Sequence, residues 1–227
     1  MLKKCFVLLM VFFISFITAC GESKERVPIS KFDTMKVSSG ETKLEQILDV
    51  EGFDFKLLCT YDTGNYTLNE WRITDSKILS MTVKTIDLPE DWDVIIEHVH
   101  CDINIKLTLD QIDGMPQDSM DASYHGSSQD GFPIDNNTFY NNKFAIEGYS
   151  KTLIDGWAFI VGSYGSADVT EKRLTEKNLI KQGKAYAQKM SIIYSLGIKK
   201  PGNDKYQVVA VESEFLIPLN TERYNIH

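Results

Sequence analysis

Beginning at Phe53, apolar and polar residues alternate along the chain. Phe53, Phe55, Leu57, Cys59 and Tyr61 are separated by Asp54, Lys56, Leu58, Thr60 and Asp62. That period of two predicts a strand with one face in a core. Thr63-Gly64-Asn65 carries turn chemistry, and residues 66–74 and 77–86 read as two further strands, stopped by Leu88-Pro89-Glu90-Asp91. The strongest alternation covers 94–109. Val99, Cys101, Ile103, Ile105, Leu107 and Leu109 share one face, and His98, His100, Asp102, Asn104, Lys106 and Thr108 share the other. This predicts a strand with one wet face. Residues 110–142 are rich in Asp, Asn, Gly and Ser and contain Pro116 and Pro133, which predicts a long loop interrupted by a short strand near 122–125. Strands resume at 143–149 and 157–164, with Asp155-Gly156 as hairpin chemistry between them.

The period then changes. Leu179, Gly183, Tyr186, Met190 and Ile193 fit a helical stripe, with Asp168 and Glu171 as a capping box and Gly197 and Pro201 as stop signals. A helix over 169–196 follows from this, then a last strand over 206–217; a short helix is expected at 43–48. The expected class is α+β: a mostly antiparallel β-sheet or sandwich with one long C-terminal helix packed on it.

The start of the chain obeys a different pattern. Lys3 and Lys4 precede a 15-residue uncharged run, residues 5–19. A membrane-spanning helix needs about 20 apolar residues, whereas a signal-peptide core needs about 7–15. The run ends in Ile17-Thr18-Ala19-Cys20, followed by Gly21. This resembles the lipobox of bacterial lipoprotein precursors. The resemblance implies cleavage before Cys20, a diacylglyceryl group on its thiol, and a palmitate-class lipid anchor that holds the protein at the cell membrane facing the extracytoplasmic side. The expected organisation is a signal peptide over 1–19, a flexible polar tether over 20–42 and a single β-rich domain over 43–227.

Composition narrows the function classes. A chain of 227 residues with 43% hydrophobic and 25% charged residues can build a core and is not collagen-like, coiled-coil or globally disordered. The formal net charge of −8, two units more negative once Lys3 and Lys4 leave, excludes sequence-independent nucleic-acid binding. Only four basic residues are arginine (Arg26, Arg72, Arg173 and Arg223), a lysine bias expected of an AT-rich, Gram-positive host.

Four features are candidates for chemistry. Cys59 and Cys101 both face inward on their strands, where they form either a disulfide, allowed outside the cytoplasm, or two buried thiols. With Trp71 they resemble the Cys–Trp–Cys pattern of immunoglobulin domains, although Val99 stands where the tyrosine corner would place Tyr. His98, His100 and Asp102 lie on one strand face at i, i+2, i+4, a spacing that can hold Zn²⁺ if a fourth group such as His125 folds over. Asp110, Asp113, Asp118, Asp121, Asp130 and Asp135 punctuate the loop without an EF-hand frame. Tyr124, Phe132, Phe139 and Tyr140 in that loop, with Trp92 and Trp157, serve either packing or recognition.

No nucleophile elbow, P-loop, dinucleotide fingerprint, H-E-x-x-H or C-x-x-C occurs in the sequence. The expectation is therefore a non-catalytic surface lipoprotein that needs no cofactor and contacts the membrane through its anchor and another envelope or surface protein through its domain. In build it resembles the exclusion lipoproteins of prophages and conjugative elements. The alternative is a metal-dependent hydrolase using His98, His100 and Asp102.

Overall fold

The computed structural model describes residues 42–64, 70–109, 114–123, 131–162 and 172–224, all within one compact unit. The elements, in chain order, are β1 (Lys43–Asp49), β2 (Lys56–Asp62), β3 (Lys77–Ile86), β4 (Asp93–Leu107), β5 (Met115–Ser123), β6 (Phe132–Ile134), β7 (Tyr140–Ile146), α1 (Lys151–Val161), α2 (Glu176–Lys181), β8 (Ala185–Lys199), β9 (Gln207–Pro218) and a closing 3-10 turn (Thr221–Tyr224). They form two antiparallel sheets. One has the order β1-β2-β3-β7; the other has β5-β4-β8-β9, with β6 on the same edge of β4 as β5. The inner faces meet in one core that draws Leu57, Cys59 and Tyr61 from β2, Val99, Cys101 and Ile103 from β4, and Met190, Ile192 and Tyr194 from β8. The β-rich class, the alternations over β2 and β4 and the last strand, β9, agree with the sequence reading.

The long helix does not exist. Residues 185–199 are β8, the central strand of its sheet, paired on one side with β4 and on the other with β9. Met190, Ile192, Tyr194, Leu196 and Ile198 point inward at a period of two. Of the supposed helical stripe, Ile193 lies half-buried on the outer face, and Tyr186, also half-buried, is skipped by the pairing with β4. Helical spacing can be drawn through Met190 and Ile193, but Lys189, Ser191, Ser195 and Lys199 alternate with the inward row, and this alternation, the β-branched residues Ile192, Ile193 and Ile198 and the pairing on both sides decide for strand. Gly197 is no stop signal either: it lies within β8, where a Cβ would come within 2.8 Å of Ile95. The capping pair Asp168 and Glu171 lies outside the described residues.

The longest described helix is α1, where a hairpin was expected. Its buried residues Leu153, Trp157 and Ile160 are spaced i, i+4, i+7, and the Ser150 hydroxyl caps it by accepting from the Leu153 N–H at 3.0 Å. Gly156 sits mid-helix, where a side chain would collide with Met115, so glycine here sets how closely α1 seats on β5. With α2, these residues cover one end of the sheets in a second apolar cluster around Ile105, Leu107 and Met115.

Three smaller differences follow the same logic. Residues 43–48 form the edge strand β1 rather than a helix, with Leu44, Gln46 and Leu48 turned inward. Residues 70–76 contain no strand; Trp71 and Ile73 are buried there as anchors between β2 and β3. Much of the expected loop is the edge strand β5, which tolerates Pro116 because an edge has an unpaired side. The register shift between Ile103 and Asn104 leaves Gln117 as the bulged residue.

That bulge carries a buried polar chain. The Trp71 indole N–H donates to Gln188 Oε1, and Gln188 Nε2 donates to Gln117 Oε1. Gln117 Nε2 in turn reaches the Ile73 carbonyl at 3.0 Å and the Glu147 carbonyl at 3.2 Å. The Gln117 carbonyl accepts from the Ser150 hydroxyl that caps α1. Both glutamines are fully buried, and no buried side-chain polar atom among the described residues lacks a partner. Replacing Gln188 by Leu orphans the Trp71 N–H and Gln117 Oε1. At about 1–3 kcal/mol per orphaned group, the Gln188→Leu variant is expected to lose roughly 2–6 kcal/mol in urea unfolding, and a loss within 0.5 kcal/mol (about the noise of a surface change) would contradict this account.

Lys77, at the start of β3, is only 7% exposed. Its Nζ donates to the Arg72 carbonyl and lies 4.4 Å from the Trp71 ring centroid. Burial pulls its pKa from 10.5 down to about 8, against the opposing pull of Asp75 and Glu176. The unfolded chain therefore holds this proton over a range where the folded chain has released it, so stability gains with rising pH between about 8 and 10.5. The stability of the wild type relative to Lys77→Met should climb across that window in denaturant titrations; a flat difference would refute the buried, proton-shedding lysine.

Candidate functional site

The wet face of β4 turns outward as predicted, and the structure adds a residue that the sequence reading had assigned to a loop. β5 pairs with β4 so that Asp121 lies directly opposite His100 and Ser123 opposite His98. Asp121 Oδ1 is 2.9 Å from His98 Nε2 and 2.8 Å from His100 Nδ1, while His100 Nε2 is 3.1 Å from Asp102 Oδ2. The two rings run nearly parallel, with centroids 6.4 Å apart. One carboxylate oxygen thus bridges two imidazoles, and the second imidazole is held at both nitrogens.

This geometry sets the electrostatics. The hydrogen bond to Asp121 raises the His100 pKa above 6.5, with Asp102 adding to it; reciprocally, His100 first and His98 second lower the Asp121 pKa below 3.8. The bonds that orient the rings also occupy the His100 nitrogens a metal would need. Among the described residues no group of three or more His, Cys, Asp or Glu side chains is arranged to hold a metal ion. His125 lies outside the described residues, as do Asp110, Asp113, Asp130, Tyr124 and the lipobox with Cys20. The described loop acids do not converge: Asp118 accepts from the Glu147 N–H at 3.0 Å, Asp121 serves the histidines, and Asp135 caps its own turn.

Cys59 and Cys101 are free thiols, both fully buried. Burial raises Cys59 to about 11, against hydrogen bonds from Tyr194 and Tyr61, and Cys101 to about 12, with Asp102 and Asp118 adding to it. Neither supplies a thiolate at neutral pH. Trp71 does not complete an immunoglobulin-type core: it lies off the strands and its indole is bound to Gln188. Instead, the two sheets are joined beside Cys59 by hydroxyls. The Tyr61 and Tyr194 oxygens are 2.8 Å apart, Tyr61 donates to Ser213 Oγ at 2.6 Å, and Ser213 donates to Gln46 of β1.

A cleft of about 460 Å³ opens at the end of the sheets opposite α1 and α2. The start of β4 lines it with Asp93, Val94 and Ile95, and three further segments complete it. The β3–β4 loop supplies Leu88, Pro89, Glu90 and Trp92; β6 and the turn after it supply Pro133 and Asp135; the β8–β9 turn supplies Tyr206. Asn136 clamps two of these together, accepting from the Leu88 N–H and the Thr85 hydroxyl and donating to the Leu88 carbonyl, at 3.0–3.1 Å. Asp135 Oδ1 accepts the N–H groups of Asn137 and Thr138 at 2.6 Å and Oδ2 accepts the Thr138 hydroxyl at 2.8 Å, which holds its pKa below 3.8. Asp93 is paired with Lys199 at 2.7 Å. Two lysines where β8 ends lie over the aromatic rings at this end: Lys200 is 4.6 Å from Trp92 and 4.9 Å from Phe53, and Lys199 is 5.0 Å from Tyr206. The sequence showed each of these residues but nothing that joins them, because the cleft depends on β6 lying beside β4.

The other aromatics divide between packing and display. Phe132 packs edge-on against the buried Tyr140 at 5.4 Å, and Trp157 is buried with its N–H on the Lys172 carbonyl at 3.0 Å, whereas Phe139 is exposed beneath Lys84.

No family model matches the chain, and no curated protein matches it. Among solved structures, a protein from Archaeoglobus fulgidus overlaps at a TM-score of 0.27 with 10% identity, over 77% of this chain and 94% of that one. A putative late embryogenesis abundant (LEA) protein overlaps at a TM-score of 0.22 with 13% identity, over 85% of this chain and 81% of the other. Overlaps of this size define neither a fold family nor an activity for this chain.

The His–Asp array makes its own contribution to stability in one pH range. A raised His100 stabilises the fold fully below pH 6.5 and loses that effect as pH rises through its folded pKa; a lowered Asp121 stabilises above about pH 3.8 and loses that effect in stronger acid. Both act together between about 4 and 6.5. In an NMR titration of the imidazole C–H signals, His100 should titrate above 6.5, and Asp121→Asn should bring it down towards that value; an unmoved midpoint would break the assignment.

Proposed function

We propose that the protein is a membrane-anchored extracytoplasmic lipoprotein whose β domain is a non-catalytic interaction module that contacts another envelope or surface protein. The observation that carries the reading is the polarity of the domain. The described chain enters at Thr42, whose carbonyl accepts from both the N–H and the hydroxyl of Thr63 at 2.9 and 3.0 Å. That entry is at the end of the sheets that α1 and α2 cover, while the cleft opens at the other end. A chain tethered through residues 20–42 to a lipid on Cys20 would present the cleft away from the membrane. The absence of catalytic sequence motifs and the high pKa values of the two thiols favour binding over covalent chemistry.

Anchoring is testable directly. Each buried CH₂ of an acyl chain contributes about 0.8 kcal/mol, and two or more chains hold a protein stably. In a bacterial host given radiolabelled palmitate, the wild type should carry label and sediment with membranes. Cys20→Ala should carry none and lose its membrane association. Equal labelling of the two would overturn the proposal.

A further inference from the structure

We infer that the end of the domain closed by α1 and α2 is a membrane-docking surface, on which exposed apolar side chains of α1 and the basic residues around α2 meet a bilayer of anionic phospholipid. This rests on the reading of the protein as membrane-held and deepens it: it assigns the face that meets the lipid and the charge that the lipid carries.

The stripe of Leu153, Trp157 and Ile160 does not exhaust the apolar residues of α1. Outside that stripe, Ile154 is 47% and Phe159 62% exposed, Ala158 lies between them around the helix, and the exposed Tyr149 stands just before the cap. The charged residues on the same outer side, Lys151 and Asp155, neutralise each other as an ion pair. A helix on the surface of a water-soluble domain keeps its outer side polar, and large apolar side chains left in the open together mark an interaction surface.

The charge beside α1 is a separate observation. Lys172, Arg173, Lys177, Lys181 and Lys184 are all exposed. The one acid in that segment, Glu176, is buried, with its carboxylate accepting from the Ile73 N–H at 3.2 Å and the Tyr224 hydroxyl at 2.7 Å. Among the described residues no carboxylate pairs with any of the five basic side chains. The segment is fastened to α1: the Trp157 indole donates to the Lys172 carbonyl at 3.0 Å, and a Cβ at Gly183 would lie 3.1 Å from the same ring. Apolar and basic groups therefore share one surface. That pairing suits an anionic bilayer, where apolar side chains enter the boundary of headgroups and acyl chains and lysine or arginine meets the phosphates. It stands out in a chain whose formal net charge is −8.

The point of entry of the chain agrees. Thr42 is held by Thr63 at this same end, so a chain anchored through residues 20–42 brings this surface to the lipid first. The carboxylates of the cleft, Glu90, Asp93 and Asp135, lie at the other end. β4 runs between the two ends for 15 residues. At about 3.3 Å per residue that is roughly 45 Å, against a screening length of about 8 Å at physiological salt. Their repulsion does not reach the membrane. The surface orients a domain that the anchor has already delivered at high local concentration, and does not replace the anchor.

The test reconstitutes the full chain from detergent into vesicles of equal parts brominated phosphatidylcholine and phosphatidylglycerol, and recovers the vesicles by flotation so that every molecule read is membrane-held. A tryptophan reporter is placed at one end or the other, Phe159→Trp on α1 or Tyr206→Trp at the cleft, and the emission it adds to that of the wild type is compared with unbrominated vesicles. A docked α1 lies within reach of the bromines, so the Phe159→Trp signal should be quenched at least about twofold, and the Tyr206→Trp signal should not change. Quenching should fall when phosphatidylcholine alone forms the vesicles, and at about 1 M salt, where the screening length shrinks to about 3 Å. Adding Lys172→Gln, Arg173→Gln, Lys177→Gln and Lys181→Gln should reduce it about tenfold, because each basic side chain near an anionic surface contributes separately. Adding Lys56→Gln, Lys84→Gln, Lys143→Gln and Lys205→Gln, which removes the same charge from other faces, should leave it unchanged. An unquenched Phe159→Trp signal, equal quenching of Tyr206→Trp, equal quenching without phosphatidylglycerol, or equal effects of the two sets of substitutions would each overturn the inference. A chain that fails to float would refute the membrane-held reading and the inference with it, whereas a chain that floats unquenched refutes the docking surface alone.

Discussion

Two side-chain amides sealed in a dry interior impose the constraint on which this domain depends. A buried amide is tolerated only if its donors and acceptors are matched. Gln117 and Gln188 meet that demand by linking parts that share no strand pairing: the indole of Trp71 between β2 and β3, the carbonyl of Glu147 after β7, and the cap of α1. The bulge in β5 exists at the one position where Gln117 can turn inward. The sheets therefore meet, and α1 seats, in the single arrangement that satisfies the chain of bonds. The hydroxyl cluster of Tyr61, Tyr194 and Ser213 plays the same part between the sheets, joining β2 to β8 and β9.

Alternation was legible wherever one face is apolar and the other polar. Leu57 to Tyr61 and Val99 to Leu107 could be read directly, because a one-residue slip would have put charges in the core. It was misread in β8: Lys189, Ser191 and Ser195 alternate with the inward row, but Tyr186, Met190 and Ile193 also fall at helical spacing, and the break in the β4–β8 register at Tyr186 hides the period of two at the start of the strand. In α1 the signal was present, as Leu153, Trp157 and Ile160, but Asp155-Gly156 and the β-branched neighbours argued locally for turn and strand. Burial of Trp157 overrides that preference, as tertiary packing does for short helices.

The candidate sites divide in the same way. The histidines and Asp102 were visible as one strand face. Their decisive partner Asp121 was not, because it belongs to a strand that the Asp, Ser and Pro content of its surroundings disguised as loop. The cleft was hidden more deeply: Trp92, Asp135 and Tyr206 are far apart in sequence and meet only through sheet order. The result is a domain with its charge chemistry on two surfaces, an array of paired groups on the outer sheet face and an acidic, aromatic-rimmed hollow at the loop end.

That hollow is lined by the ends of β4 and β6 as well as by loops, but its rim residues Glu90 and Tyr206 lie outside the strands, so the rim is separable from the stability of the body. The loops are anchored by local devices, the Asn136 clamp, the Asp135 turn cap and left-handed glycines such as Gly202 at φ 79°, so a change at Glu90 or Tyr206 need not reach the glutamine chain at the far end. Such an architecture permits rapid diversification: under pressure to change partners, the rim can drift one loop at a time while the two sheets are inherited intact.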